Sequence, residues 1–431
     1  MRKMKDSGVE WIGEIPEKWS VWKMKHLASE PMQYGANATG VEYSESLPRY
    51  VRITDITTNR TLSNEGKQSL PTEIAEEYIL DDGDILFARS GATAGKSFYY
   101  ESKYGDCAFA GYLIRFKADF QKANSKFLYY YTLTQAYEEW SQQIFIQATI
   151  QNISAEKYNG LRFAIPDNIE QQNEIVEYLD KKCAEIDSLI EAKEKTNALL
   201  KEQRQSIIYE AVTKGLNSDV PMKDSGIEWI GDVPETWDVK KIKYCFDLVA
   251  GATPKSSNSE YWDGNIVWIT PADYKTEDVF IEKGHKNITD EGMQSCATTL
   301  IPENCIIFSK RAPVGLVAIN RVPLCTNQGC ISCIPHNDIS SKFYYYVMSV
   351  FEEQFELFAS GTTFKEISAD SFANFLLPNT TFDEQVEIVN YLDKKCAELD
   401  TIIKSNRTII EKLKEYRKSI IFEAVTGKVE I

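Results

Sequence analysis

Met4-Lys-Asp-Ser-Gly-Val-Glu-Trp-Ile-Gly-Glu-Ile-Pro-Glu-Lys-Trp19 returns as Met222-Lys-Asp-Ser-Gly-Ile-Glu-Trp-Ile-Gly-Asp-Val-Pro-Glu-Thr-Trp237, with 12 of 16 residues identical at an offset of 218. Glu174-Ile-Val-Glu-Tyr-Leu-Asp-Lys-Lys-Cys-Ala-Glu-Ile-Asp-Ser-Leu-Ile190 likewise returns as Glu387-Ile-Val-Asn-Tyr-Leu-Asp-Lys-Lys-Cys-Ala-Glu-Leu-Asp-Thr-Ile-Ile403, with 13 of 17 identical at an offset of 213. A period of about 30 residues would make a solenoid, whereas one this long is a duplicated set of domains. Two halves of one plan, related by a pseudo-twofold, are the expectation.

Residues 168–215 and 381–431 read as two long helices. Asn168-Ile-Glu-Gln171 and Thr381-Phe-Asp-Glu384 are capping-box patterns, placed directly after Pro166-Asp167 and Pro378-Asn379-Thr380. Apolar residues then recur at about every 3.5 positions. In the first helix they are Ile175, Leu179, Cys183, Ile186, Ile190, Leu200, Ile207 and Ala211; in the second, Ile388, Leu392, Cys396, Leu399, Ile403, Ile410, Leu413, Ile420 and Ala424. Such a seam asks for a helical partner, and since both halves carry it, the helices are expected to pack on each other. The chain thus divides into a globule over 1–167, a helix over 168–215, a linker over 216–221, a globule over 222–380 and a helix over 381–431. By the same symmetry Ile431 should approach the opener at Met4.

The globules read as β-rich with some helix. Val51–Thr54, Asp84–Phe87, Val267–Thr270 and Cys305–Phe308 have strand patterns, and Ser125–Tyr131 and Ser341–Tyr346 begin short helices. Scaffold segments are nearly identical while the globules have diverged, as expected of two equivalent modules set to read different targets.

The chain has 431 residues, 43% of them hydrophobic and 26% charged, the composition of an ordinary globular protein of several domains. It opens without an apolar signal core and has no run of about 18 apolar residues, so a cytoplasmic location is expected, with no membrane span. Nine cysteines, two of them (Cys183 and Cys396) equivalent in the repeat, suggest buried free thiols in a reducing compartment. The net charge of −16 argues against a large basic surface. A bound polyanion would need cations concentrated locally, or a partner to supply them.

Catalytic motifs are missing. Gly91-Ala-Thr-Ala-Gly-Lys-Ser97 has three residues between its glycines, one short of a phosphate-binding loop, and runs into Phe98-Tyr-Tyr100, a strand pattern and not a helix. Cys325, Cys330, Cys333 and His336 could be aligned as a zinc set, but no second Cys-x-x-Cys exists and core thiols are the better reading. The three histidines, His26, His285 and His336, occupy unmatched positions. Neither Gly-x-Ser-x-Gly nor His-Glu-x-x-His occurs, and no Asn-Pro-Pro-aromatic motif of an adenine methyltransferase. The chain reads as non-catalytic, with no metal or cofactor of its own.

What remains is a set of polar and basic residues on loops beside the strands. In the first half these are Arg52, Arg89, Ser90, Thr93, Lys96, Gln151 and Asn152; in the second, Thr253, Lys255, Lys310, Arg311, Asn327, Gln328 and Lys365. Arg can bridge guanine O6 and N7, Gln or Asn can bridge adenine N6 and N7, and Lys mostly finds phosphate. Arg89 and Lys310 follow corresponding strands and are expected to be equivalent.

The opener resembles that of the specificity subunit of type I restriction-modification systems. So do Asp84-Ile-Leu-Phe-Ala-Arg-Ser-Gly-Ala-Thr-Ala-Gly-Lys96, Gly251-Ala-Thr-Pro254 with Tyr261-Trp262, Asn327-Gln-Gly329 and the Glu384-Gln-x-x-Ile388 helix entry. The resemblance covers essentially the whole chain, twice. It implies an α/β (α+β) fold with two globular target-recognition domains separated by two long antiparallel coiled-coil helices. Each domain would contact one half of a bipartite site on double-stranded DNA. The implied partners are two adenine methyltransferase subunits, which use S-adenosylmethionine, and restriction subunits, which use ATP and Mg. Two other readings make different predictions: a protein–protein scaffold would retain no DNA sequence-specifically, and a P-loop ATPase would bind nucleotide alone.

Overall fold

The computed structural model describes residues 3–146, 152–275, 278–361 and 365–431. It divides into two compact units, Met1–Glu194 with Arg407–Ile431 and Lys195–Asn406. Each unit holds one globule and a stretch of both long helices, Ile169–Lys214 and Phe382–Val425. Helix and strand are mixed in both, as expected.

In the first unit the opener is a hairpin pairing Met4–Asp6 with Glu14–Pro16. Trp19–Lys23 then pairs antiparallel with Arg162–Pro166. The globule is built on two four-stranded sheets. One runs in the order Cys107–Phe109, Arg49–Val51, Gln68–Ser69, Val41–Glu42, and the other Gln33–Tyr34, Leu113–Phe116, Ile85–Ala88, Ser97–Tyr99. The second unit repeats this plan. Its opener hairpin pairs Met222–Asp224 with Asp232–Pro234, and Asp238–Lys241 pairs with Leu376–Asn379. Its main sheet runs Phe246–Ala250, Cys330–Pro335, Ile306–Ser309, Val317–Asn320, Phe280–Ile281, and a smaller one has Trp262–Ile269 between Lys286–Ile288 and Leu324–Thr326. One parallel pair recurs: Arg49–Val51 beside Cys107–Phe109, and Val267–Ile269 beside Leu324–Thr326.

The apolar stripe on the long helices serves two kinds of neighbour. Ile186, Ile190, Ile410 and Ile420 form a cluster of their own, closed by Leu413, which is a true helix–helix seam. Arg417 Nε meets Asp187 Oδ1 at 3.0 Å beside it. Within the second unit Arg204 meets Asp400 at 3.3 Å, and Asn406 Nδ2 donates to Asn197 Oδ1 at 3.0 Å. In each unit the pairing runs antiparallel. Ile175, Leu179 and Cys183, by contrast, lie in the core of the first globule, together with Ile421, Ala424 and Val425. Ile388, Leu392 and Cys396 lie in that of the second, with Ile207 packed against it. Ile403 is buried between these stretches, and Leu200 and Leu399 are partly so.

The end of the chain does meet the first opener. Val429 and Ile431 pack on the core that holds Val9, Ile12 and Ile15. Gly427, at φ 69°, lets the chain leave its helix against Pro16, where an added Cβ would come within 2.5 Å of Cγ. Gly215, at φ 72°, holds the same place against Trp237 and Pro234.

The helix starts differ from the capping-box expectation. Asn168 Oδ1 accepts from Glu170 N at 2.7 Å and Thr381 Oγ1 from Glu384 N at 3.4 Å, so each cap is half formed. Glu384 does not reach back to the cap backbone; its Oε2 accepts from Trp237 Nε1 at 3.0 Å and from Thr380 Oγ1. The next residue is the anchor. Gln172 accepts from Asn124 N at 2.8 Å and donates to Lys122 O and Pro166 O, both at 3.2 Å. Gln385 accepts from Ser340 N at 2.9 Å and donates to Thr380 O at 2.8 Å. A fully buried amide satisfied at both ends joins helix to globule twice over.

Two strand expectations are shifted. The strand read over Val51–Thr54 ends at Val51 and gives way to a turn of 3-10 helix over Ile53–Asp55, because Arg52 N donates to Asp55 Oδ2 at 2.8 Å. Val267–Thr270 is the end of a longer strand, Trp262–Ile269, followed by the same kind of turn, Thr270 N donating to Asp273 Oδ2 at 2.7 Å.

Candidate nucleic-acid interface

Each unit draws loops from separate parts of its sequence into one cluster, and backbone hydrogen bonds fix it. In the first unit Ala36 N donates to Phe109 O (2.8 Å), Gly111 N to Ala36 O (2.8 Å), Ala110 N to Val51 O (3.0 Å), Arg89 N to Tyr112 O (3.0 Å) and Ile153 N to Arg89 O (2.8 Å). In the second, Ala252 N donates to Thr326 O (2.9 Å), Asn327 N to Ile269 O (2.9 Å), Lys310 N to Gly329 O (2.8 Å) and Ile367 N to Lys310 O (3.0 Å). Four of the five bonds of the first unit thus recur in the second. Gly35 and Gly251 are required for this pattern, since a Cβ would sit 2.4 Å from Phe109 O and Ala110 O in one and 2.3 Å from Thr326 O and Asn327 O in the other. Arg89 and Lys310 therefore occupy equivalent backbone positions, as expected from the sequence. Ser90 bridges Asn152, and Arg311 bridges Glu366 in the same way.

Side chains on this common frame differ in how much of their charge is available. The guanidinium of Arg52 is taken up by its own loop: Nε and Nη2 donate to Asp55 at 3.1 and 2.7 Å, and Nη2 also to Gly66 O at 2.8 Å. The hydrogen bond to Asp55 holds its guanidinium pKa above the usual value. Lys96 Nζ donates to Ile56 O at 3.2 Å, and burial, then the charge of Arg60, pulls its pKa down. Arg89 lies over the ring of Tyr34, 4.9 Å from the centroid, and its buried Nε has no acceptor among the described residues. Asn152 Oδ1 is also buried, with no donor among the described residues. Ser90 precedes the 3-10 turn Gly91–Thr93 and Thr93 ends it, and both are partly exposed. That turn leads to the strand Ser97–Tyr99, so the glycine loop offers no helix N-terminus to a phosphate. Gln151 lies outside the described residues.

In the second unit Lys310 Nζ and Arg311 Nε grip one carboxylate, Glu366, at 2.9 and 2.8 Å. Thr253 and Gln328 hydrogen-bond each other across neighbouring loops, and Asn327 Oδ1 accepts from Gly329 N at 2.8 Å within its own turn. Lys255 is exposed. Lys365 is exposed too and lies 3.6 Å from Glu356. Thus Arg52, Lys96 and Asn327 serve the loops themselves, while Arg89, Arg311, Gln328, Thr253, Lys255 and Lys365 present polar groups outward.

Three residues on the clusters were not expected from the sequence. Tyr34 supports Arg89 and its hydroxyl accepts from Ala155 N at 3.1 Å. Tyr112, at the turn that carries Arg89's acceptor, is 63% exposed. Glu366 is the third. Aligning Tyr34-Gly-Ala with Ala250-Gly-Ala would have pointed to the first, but the others follow only from the fold.

Cys325 and Cys330 are buried thiols whose pKa values are pushed up by burial to about 11 and about 12, and Cys333 is pushed up likewise. His336 turns to Asp247 at 3.3 Å instead. Among the described residues no group of three His, Cys, Asp or Glu side chains is placed to hold a metal. Nor, among them, is any helix long and apolar enough to cross a membrane.

The family model for the type I restriction modification DNA specificity domain matches residues 47–202 and again 234–415. The chain belongs to this specificity family. The second match takes in its whole loop cluster and the first all but the Tyr34–Ala36 loop, and each covers much of the long helix that follows. Among curated relatives, the MjaX specificity subunit of Methanocaldococcus jannaschii, a putative type I restriction enzyme component, is 25% identical over 97% of this chain and 96% of its own. The MjaIX specificity subunit from the same organism is 36% identical over 38% of each chain. The EcoR124I/EcoR124II specificity subunit of Escherichia coli is 26% identical over 70% of this chain and 72% of its own. A chain from the solved structure described as the basis of "complex assembly and conformational transition of the type I R-M system" has the same fold, at a TM-score of 0.75 and 15% identity over 96% of this chain and 99% of that one. The HsdS subunit of Thermoanaerobacter tengcongensis aligns at 0.52, with 15% identity over 96% and 98%. Specificity-family membership and the doubled loop cluster thus agree.

Proposed function

We propose that this chain is the DNA-reading, non-catalytic subunit of a cytoplasmic type I restriction-modification complex, each unit reading one half of a bipartite site. The observation that carries this reading is one backbone frame bearing two different sets of side chains. A frame kept while its polar groups diverge is what two readers of different half-sites need. Base edges are read by such groups in the major groove, and phosphate contacts fix position.

The net charge of −16 fits a reader that leaves much of the phosphate contact to partners. Identity between the halves extends to polar positions on the surfaces of the long helices. Lys182 and Lys395 recur with their neighbours Glu185 and Glu398, at 2.9 and 3.3 Å, on the surfaces of the long helices. A surface kept twice suits two copies of one partner, here adenine methyltransferase subunits carrying S-adenosylmethionine. Restriction subunits using ATP and Mg would complete the complex, with no cofactor held by this chain.

The test is competition binding by the complex of this chain with its methyltransferase. Retention of one bipartite sequence at least about a thousandfold over random duplex is expected. Equal retention of all sequences would favour a scaffold.

A further inference from the structure

Glu366 is an anion on a surface proposed to meet a polyanion. Had the second cluster been built only to hold phosphate, a carboxylate between Lys310 and Arg311 would cancel part of the attraction. The carboxylate is held from both sides: Lys310 Nζ is 2.9 Å from Oε1 and Arg311 Nε is 2.8 Å from Oε2. Its backbone is fixed as well, Glu366 N donating to Ser360 O and Ser360 N to Glu366 O, both at 3.0 Å. The side chain remains 35% exposed. An ionised carboxylate has about four acceptor positions, so one cation on each oxygen leaves capacity on both. The group of three still carries a net positive charge and does not repel a duplex as a whole.

The equivalent position in the first unit is Asn152. Ser90–Asn152 and Arg311–Glu366 are corresponding bridges, and Ile153 N and Ile367 N donate to Arg89 O and Lys310 O. Ser154 and Ser368 then cap corresponding short helices. One backbone position thus carries an amide in one unit and a carboxylate in the other, on otherwise matching frames. The two groups differ in chemistry: an amide both donates and accepts, whereas an ionised carboxylate only accepts and suits cytosine N4.

We infer that Glu366 is a specificity-determining residue that accepts a hydrogen bond from a cytosine amine in the half-site read by the second unit, with Lys310 and Arg311 positioning its carboxylate. This rests on the DNA-reading function proposed above. The hydrogen bond from Lys310, with further help from Arg311, lowers the Glu366 pKa, which keeps it an acceptor throughout the neutral range.

The experiment uses the complex of the full chain with its methyltransferase, carrying Glu366→Gln or Glu366→Ala. Binding is measured on duplexes with each base at each position of the wild-type motif. Glu366→Gln keeps the shape of the side chain and can still accept from Lys310. It should move one position of one half-site from cytosine toward adenine, with a change in preference of about ten- to a hundredfold. Glu366→Ala should leave that position degenerate, the other half-site unchanged. If both variants keep the wild-type preference at every position, or tighten or weaken binding to all sequences alike, Glu366 only neutralises its two cations and the inference is overturned. A wild-type complex without any preferred sequence would instead overturn the function on which it rests. Thermal melting of both variants controls for folding, and Glu366→Gln alone decides should Glu366→Ala melt early.

Discussion

Arg89 and Lys310 share a backbone position and differ in what their charge meets. Arg89 rests on Tyr34 with Nε unmatched among the described residues, whereas Lys310 is bound to Glu366. Arg89→Ala should relax one base position and cost roughly 1–3 kcal/mol of discrimination if its guanidinium bridges a guanine. The check is a binding panel with the assembled methyltransferase. An unchanged motif and affinity would remove Arg89 from the interface. Asp84, at the foot of the same strand, carries a different prediction. Burial raises its pKa to about 6, against the opposing effects of the Asp81 amide, 2.9 Å away, and of Arg115 at 3.8 Å. In the unfolded chain the value is about 3.9, so the folded state holds the extra proton between these limits. Stability from this group is therefore present below about pH 4 and lost as pH rises through about 6. Relative to wild type, Asp84→Asn should gain up to about 3 kcal/mol between pH 4 and pH 7.5. Paired thermal melts at the two pH values test this, and a constant difference would contradict it.

Between residue and globule, one docking device is used twice. Asp180 accepts from Lys126 Nζ at 2.8 Å and Tyr130 Oη at 2.5 Å; Asp393 accepts from Lys342 Nζ at 2.6 Å and Tyr346 Oη at 2.8 Å. Both pairs tie a short helix of the globule to a long helix. Asp393→Ala leaves the Tyr346 hydroxyl without its acceptor, so destabilisation by about 1–3 kcal/mol is expected. The DNA motif should not change, because no reading loop is involved. A change of motif with unchanged melting would contradict this assignment. The identity of these elements was legible in the sequence: both long helices, the repeated openers and the central strands fall close to where periodicity and repetition put them. Gln172 and Gln385 were not, because their role depends on acceptors and donors brought near by folding. The same is true of the site. The glycine-bearing frame could be read from local motifs, but which cations are free could not. Glu366 reaches Arg311 from 55 positions along the chain, and only the fold shows that Arg52 belongs to Asp55.

At the scale of the whole chain, duplication gives two units with the same construction and different surfaces. Each has its own core, from Trp19, Phe87 and Tyr158 in one to Trp237, Phe308 and Tyr344 in the other. Separate cores let the chemistry of one loop cluster change without disturbing the other, since effects at sites without shared partners add nearly independently. The proposed division of function gives each unit its own half-site. It is tested most directly by replacing residues 237–380 with the corresponding block of a relative and sequencing the methylated bases in cells that also carry the methyltransferase. A bipartite motif in which one half is new and the other is that of the parent is expected. A motif in which both halves change, or neither does, would contradict it.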